Sequence, residues 1–149
     1  MPVLEQTRPL VATPMHFRVL GPDNGGVAST DLRRMFRGQR LTAARRSRLA
    51  QGGRILAMCG SRVVGMAAFD RADGELRVYE IGMDPESSCG TDEIANGLLD
   101  ALELACMASG ARRLLLLPRA VLNATLTRRR GYVTIGEGGP GAWVQKTFA

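Results

Sequence analysis

The chain has 149 residues, of which 45% are hydrophobic, with a net charge of +6 and an isoelectric point near 10.2. That length suits one domain, since domains cluster at roughly 100–150 residues, and no apolar run approaches the roughly 18 residues that argue for a membrane span. Cys59, Cys89 and Cys106 have no metal-ligand spacing and His16 is the single histidine, so a disulfide framework, a zinc site and a histidine-based nucleophile are not expected.

Residues 1–14 have three prolines and little periodicity, which reads as a flexible segment ahead of one domain over 15–149. The segment to His16 lacks the pattern of a signal peptide, and a cytoplasmic protein is expected. Phe17-Arg18-Val19-Leu20 alternates and stops at Gly21-Pro22-Asp23, the pattern of a strand and turn. Ser29 or Thr30 is placed to cap a helix through Leu32, Met35 and Phe36. A second, arginine-rich helix runs from Leu41 to Leu49 and ends at Gly52-Gly53.

Arg54–Cys59 and Arg62–Phe69 flank Gly60-Ser61, a favoured two-residue hairpin turn, and Asp73-Gly74 leads into a third strand over Leu76–Met83. From Thr91 to Ser109, Ile94, Leu98, Ala101, Leu102 and Ala105 share one helical face, and Gly110 is placed to end the helix. Leu114–Leu117 reads as an apolar strand buried on both faces. A helix from Ala120 to Arg130 and two strands, Tyr132–Ile135 and Ala142–Phe148, complete the chain around a glycine-rich loop. The class is α/β (α+β): a mixed, mostly antiparallel sheet with helices on both faces.

Arginines crowd at Arg33, Arg34, Arg37, Arg40, Arg45, Arg46, Arg48 and Arg54. Such a patch meets phosphates or acidic substrates, or is merely a solvated helical face. At 5% aromatics the chain has little to stack bases on, so nucleic acid is not the expected partner, and neither is a membrane.

This order of elements resembles the GCN5-related N-acetyltransferase (GNAT) family over about Phe17 to Phe148. Arg62-Val63-Val64-Gly65 looks like the family's third strand, Met83-Asp84-Pro85 the end of its fourth, Arg130-Gly131-Tyr132 its closing Gly-Phe and Ala142–Lys146 its last strand. The resemblance implies acetyl-CoA as co-substrate, lying where the fourth and fifth strands splay, and a small-molecule or protein amine as acceptor. Gly82 and Met83 would border the pantetheine. The turn of Ser88, Gly90, Thr91, Asp92, Glu93, Ile94 and Ala95 would hold the pyrophosphate, by backbone N–H groups at a helix start. Glu80 matches a position where many members hold the catalytic base; its other reading is an outward strand glutamate. An exposed strand edge makes a homodimer conceivable.

The chain departs from the family pattern [QR]-x-x-G-x-[GA]. Gly90 stands at the Gln/Arg position, Glu93 at the first glycine and Ala95 at the final small residue, and the stretch from Pro85 is about two residues longer than usual. Asp92 and Glu93 each favour the bare helix by about 0.3–1 kcal/mol through its dipole, yet they meet a pyrophosphate as like charges. Arg119 or the Arg128–Arg130 cluster is available in sequence to compensate. Thr127 stands where the family often has an acidic tyrosine, Asn123 reads as a surface residue, and Tyr132 as a core residue. A non-catalytic GNAT-fold module that has lost acyl-CoA binding is the alternative reading.

Overall fold

The computed structural model describes residues 14–21, 26–117, 124–136 and 142–148. Seven strands form one sheet in the order β1-β2-β3-β4-β5-β7-β6. β1 (Met15–Leu20), β2 (Gly53–Cys59), β3 (Arg62–Ala72) and β4 (Glu75–Met83) are antiparallel neighbours. β5 (Arg113–Leu116) runs parallel to β4, and β7 (Val144–Thr147) lies antiparallel between β5 and β6 (Val133–Thr134).

Local chemistry explains the hairpins. Gly60 takes the positive φ (65°) that the first residue of a tight turn demands, and Asp73 and Gly74 are both left-handed, at 49° and 78°. The long helix α3 (Thr91–Ala108) ends as its sequence indicates. Gly110 is left-handed, its N–H donates to the Met107 carbonyl, and Ala111 N–H reaches back to Cys106.

Two apolar clusters cover the two faces of the sheet. One joins α3 and Tyr132 to Ile55, Val64, Leu76, Val78, Ile81, Leu114 and Leu116. The other joins α1 (Ser29–Met35) and α2 (Ala43–Gln51) to Leu56, Met58, Met66 and Ala68 through Met35, Phe36 and Leu49. Gly65 has a packing role: a Cβ there would lie 2.6 Å from the Ile94 side chain, so glycine lets the first turn of α3 rest on the sheet.

Several expectations change. Neither Ser29 nor Thr30 caps α1: Ala28 occupies the N-cap with no side-chain bond. Thr42 caps α2, its hydroxyl accepting from Arg45 N–H. β5 is not buried on both faces; Leu114 and Leu116 are buried, but Leu115 and Leu117 are half-buried, Leu115 because it lines an open cavity. Residues 1–13, Pro22-Asp23, Arg119, Asn123, positions 120–123 of the helix expected from Ala120, whose described part is α4 (Ala124–Arg129), and most of the glycine-rich loop lie outside the described residues. No helix among the described residues is long and apolar enough to cross a membrane.

Candidate functional site

The parallel ladder between β4 and β5 runs from Glu75/Arg113 to Val78/Leu116, and a last bond joins Leu117 N–H to the Val78 carbonyl. Beyond it, among the described residues, the edge of β4 from Tyr79 to Met83 has no strand beside it on the β5 side. Among the described residues none pairs with the backbone of that edge, an arrangement in which an extended ligand is bound by strand addition.

A bulge lies at the same place. The β3–β4 register passes from Phe69↔Val78 to Ala68↔Glu80, leaving Tyr79 as the extra residue. Its effect is to exchange faces. Leu76, Val78 and Ile81 all reach the α3 cluster, although strict alternation would put Glu80 there. Glu80 is turned instead to the α1/α2 face and is fully buried, so the reading of an outward strand glutamate is overturned. Arg45 of α2 donates to both its oxygens, Nε to Oε2 at 3.0 Å and Nη2 to Oε1 at 2.7 Å. Gly82 lies on the same face under Phe36; a Cβ there would fall 2.6 Å from the Phe36 ring.

The turn after β4 is organised by Asp84, a residue whose role had no signal in the sequence. Buried Asp84 accepts from Glu86 N–H at 3.0 Å and from Arg62 at 3.3 Å, and pairs with Arg34 at 3.3 Å. Ser87 N–H donates to the Asp84 carbonyl and Cys89 N–H to Ser87 Oγ. Gly90 caps α3, whose first internal bond runs from Ile94 N–H to Gly90. The N–H groups of Thr91, Asp92 and Glu93 precede that bond and form the electropositive end of the helix. Ser88, Gly90, Thr91, Asp92 and Glu93 are exposed, whereas Ile94 and Ala95 point into the core. Any contact these last two make with a ligand therefore comes from the backbone.

Other candidates are committed elsewhere. Thr127 is buried and its hydroxyl donates to the Ala124 carbonyl. Tyr132 is a core residue, as read; its hydroxyl donates to Glu103 at 3.0 Å, and burial followed by that carboxylate pushes its pKa far above the ordinary tyrosine range. Arg130 bonds Asn96, Asp100 and Glu103, and Lys146 bonds Glu103 at 2.9 Å, so neither is at hand for a phosphate.

Part of the arginine-rich segment is tied down by bonds within the protein, while Arg33, Arg37, Arg40 and Arg46 are exposed. Arg34 donates to the Val63 carbonyl, Arg37 to Glu86, Arg46 to the Leu41 carbonyl and the buried Arg54 to the Gly21 and Gly52 carbonyls. The solvated-face reading therefore fails for Arg45 and Arg54. Arg48 stacks over Tyr79 at 4.8 Å, and Trp143 meets the same ring edge-on. Tyr79 and Trp143, with Glu75, Arg77, Leu115 and Ile135, line a cavity of about 460 Å³ beside the strand split.

A sheet of this order, split between its fourth and fifth strands with a bulge at the split and a helix start at its mouth, is the fold of the GCN5-related N-acetyltransferases. No family model matches the sequence, and no curated protein matches it either. Solved structures do. A GNAT-family protein from Desulfovibrio desulfuricans aligns at a TM-score of 0.65 and 15% identity over 91% of this chain and 100% of its own. N-acetylglutamate synthase from Neisseria gonorrhoeae, solved with coenzyme A and N-acetylglutamate, aligns at 0.65 and 12% over 91% of this chain and 35% of its own. PaiA N-acetyltransferase from Thermoplasma acidophilum, solved with coenzyme A, aligns at 0.54 and 14% over 64% of this chain; the match spans 60% of that protein's length. At these identities the likeness is one of fold.

Proposed function

We propose that the protein is an N-acetyltransferase that moves an acetyl group from acetyl-CoA to an amine. The observation that carries this reading is the open edge of β4 past Val78, which leads to the N-terminus of α3. Gly82 and Met83 offer backbone to the pantetheine. Ser88, Gly90 and the N–H groups of Thr91, Asp92 and Glu93 offer donors to the pyrophosphate, whereas the Ile94 N–H is already given to the Gly90 carbonyl and the Ile94 and Ala95 side chains serve the core. The cavity beside Tyr79 and Trp143 is where the amine enters.

Acetyl-CoA supplies an acyl group already activated as a thioester. The amine nitrogen attacks the carbonyl carbon, the C–S bond breaks, and the amine proton must go to a base. Glu80 takes that proton through water. Both of its oxygens accept from Arg45, which holds the carboxylate in place. The leaving thiol, with a Cys-like pKa of about 8.5, departs as thiolate without a general acid, so the loss of the family's tyrosine at Thr127 is tolerable.

Calorimetric titration with acetyl-CoA, with desulfo-CoA as control, tests the reading. Saturable micromolar binding supports it, and an amine screen with Glu80→Gln follows. Absence of binding at millimolar ligand sinks it and favours the second reading, a GNAT-fold module without acyl-CoA. That alternative is motivated by Asp92 and Glu93, whose exposed carboxylates flank the donors a pyrophosphate needs.

A further inference from the structure

Cys59 closes β2 and Cys89 stands just before the N-cap of α3, yet the two meet. Cys89 Sγ donates to Cys59 Sγ at 3.2 Å across 30 positions of sequence. Neither is part of a disulfide. A disulfide bond is about 2.05 Å long, so the two sulfurs need approach by only about 1 Å. Cys59 is half-buried and lies 3.9 Å from the hydroxyl of exposed Ser88, which gives a small oxidant a path. Cys106 is a built-in contrast: it is fully buried, and its thiol donates to the Ala111 carbonyl.

We propose that Cys59 and Cys89 are a redox modification site, closing to a reversible disulfide in the presence of hydrogen peroxide and thereby pinning the turn from Ser87 to Gly90 to the end of β2. Cys59 sulfur attacks a peroxide oxygen. The O–O bond breaks, the thiol proton leaves with the departing oxygen as water, and a sulfenic acid remains. Cys89 sulfur then attacks Cys59 sulfur, the S–O bond breaks and a second water carries off the hydroxyl with the Cys89 proton. Two thiols lose two electrons and two protons, and one peroxide is reduced. A dithiol reductant reverses the step by exchange. The order of attack follows from the contact. The bond to Cys59, then burial, hold the Cys89 thiol protonated, leaving Cys59 as the first nucleophile.

The consequence is mechanical. Cys89 N–H bonds Ser87 Oγ, and Gly90 follows as the cap of α3, so a tether on Cys89 restrains the backbone that leads into the helix. The disulfide stands independently of the acetyl-CoA reading; only an effect on ligand affinity would rest on it.

The full-length protein is treated with stoichiometric hydrogen peroxide, and then with dithiothreitol. The expected result is loss of the two thiol hydrogens in the intact mass, a Cys59–Cys89 linked peptide, and recovery of both thiols on reduction. Cys106→Ser should behave identically, and Cys59→Ser and Cys89→Ser should form no intramolecular link. Oxidation that stops at added oxygen, or a link through Cys106, overturns the site. Amide exchange over residues 87–93 should slow at least tenfold on oxidation of Cys106→Ser and stay unchanged in Cys89→Ser. A disulfide that leaves this exchange unaltered overturns the pinning of the turn.

Discussion

Glu80 and Arg45 are 35 positions apart, yet both carboxylate oxygens of Glu80 accept from the one guanidinium. Arg45 also donates to the Gln39 side chain and the Arg40 carbonyl, so the pair ties the bulged strand β4 to the connection between α1 and α2. Glu80 has no exposure, and loss of Arg45 removes a charge-assisted contact from both oxygens of a buried carboxylate. Arg45→Met should therefore cost about 3–5 kcal/mol of stability. Chemical denaturation measures the loss, and amide exchange should localise it to residues 36–42 and 79–82. A change under 1 kcal/mol would mean that water replaces the guanidinium.

The proposed base makes a separable prediction. Glu80→Gln keeps shape and one acceptor while removing the basic oxygen, so turnover should fall about 10²–10⁴-fold. The KM for acetyl-CoA should hold, because Glu80 lies on the α1/α2 face and not at the pyrophosphate turn. A rise in KM with unchanged kcat would move Glu80 from proton transfer to structure.

Glu93 sets up a trade between the empty helix and its ligand. Glu93→Gln should lower stability by about 0.3–1 kcal/mol, since the dipole of α3 loses a favourable charge. The same change should tighten acetyl-CoA binding, most visibly at low salt, where the like-charge repulsion is least screened. Titration at two ionic strengths reads both parts. Equal affinities for the two proteins would place the phosphates away from this turn.

Gly82 and Phe36 are matched in volume. Gly82→Ala puts a methyl where the ring already lies and should destabilise by about 1–3 kcal/mol. Combined with Phe36→Leu, the two losses should add to less than their sum, because the smaller side chain gives the methyl room. Strict additivity in a double-mutant cycle would contradict the contact.

Alkaline pH provides a test of the Glu103 cluster. Tyr132 has its folded pKa raised, by burial first and Glu103 next, relative to an unfolded value of about 10. The folded state then holds this proton where the unfolded state has lost it. Stability from Tyr132 is fully present below about pH 10 and declines as pH rises beyond it. In a Tyr79→Phe background, tyrosinate absorbance should appear only together with unfolding. Tyr132→Phe should flatten the alkaline decline.

Much of the fold was legible because its signals are local. Gly60-Ser61 and Asp73-Gly74 specify hairpins through the φ values they permit, and Gly110 ends α3 for the same reason. The helical spacing of Ile94, Leu98 and Leu102 identifies the buried face of α3, and all three are fully buried. The caps were less legible. Thr42 held the capping role at α2 while Ser29 and Thr30 did not at α1, since a cap depends on backbone angles that several neighbouring serines and threonines satisfy equally well on paper.

By itself, then, the sequence determined the order of strands and helices, the two tight turns and the apolar face of the long helix, all of which rest on periodicity and backbone preference over a few residues. Tertiary structure alone decided that Tyr79 bulges and turns Glu80 to Arg45, that Asp84 collects Arg34 and Arg62, and that Cys59 meets Cys89. The reason is physical. A buried carboxylate takes whichever cation the packed sheet brings within reach, and a chain holding many arginines offers several equivalent partners until packing selects one.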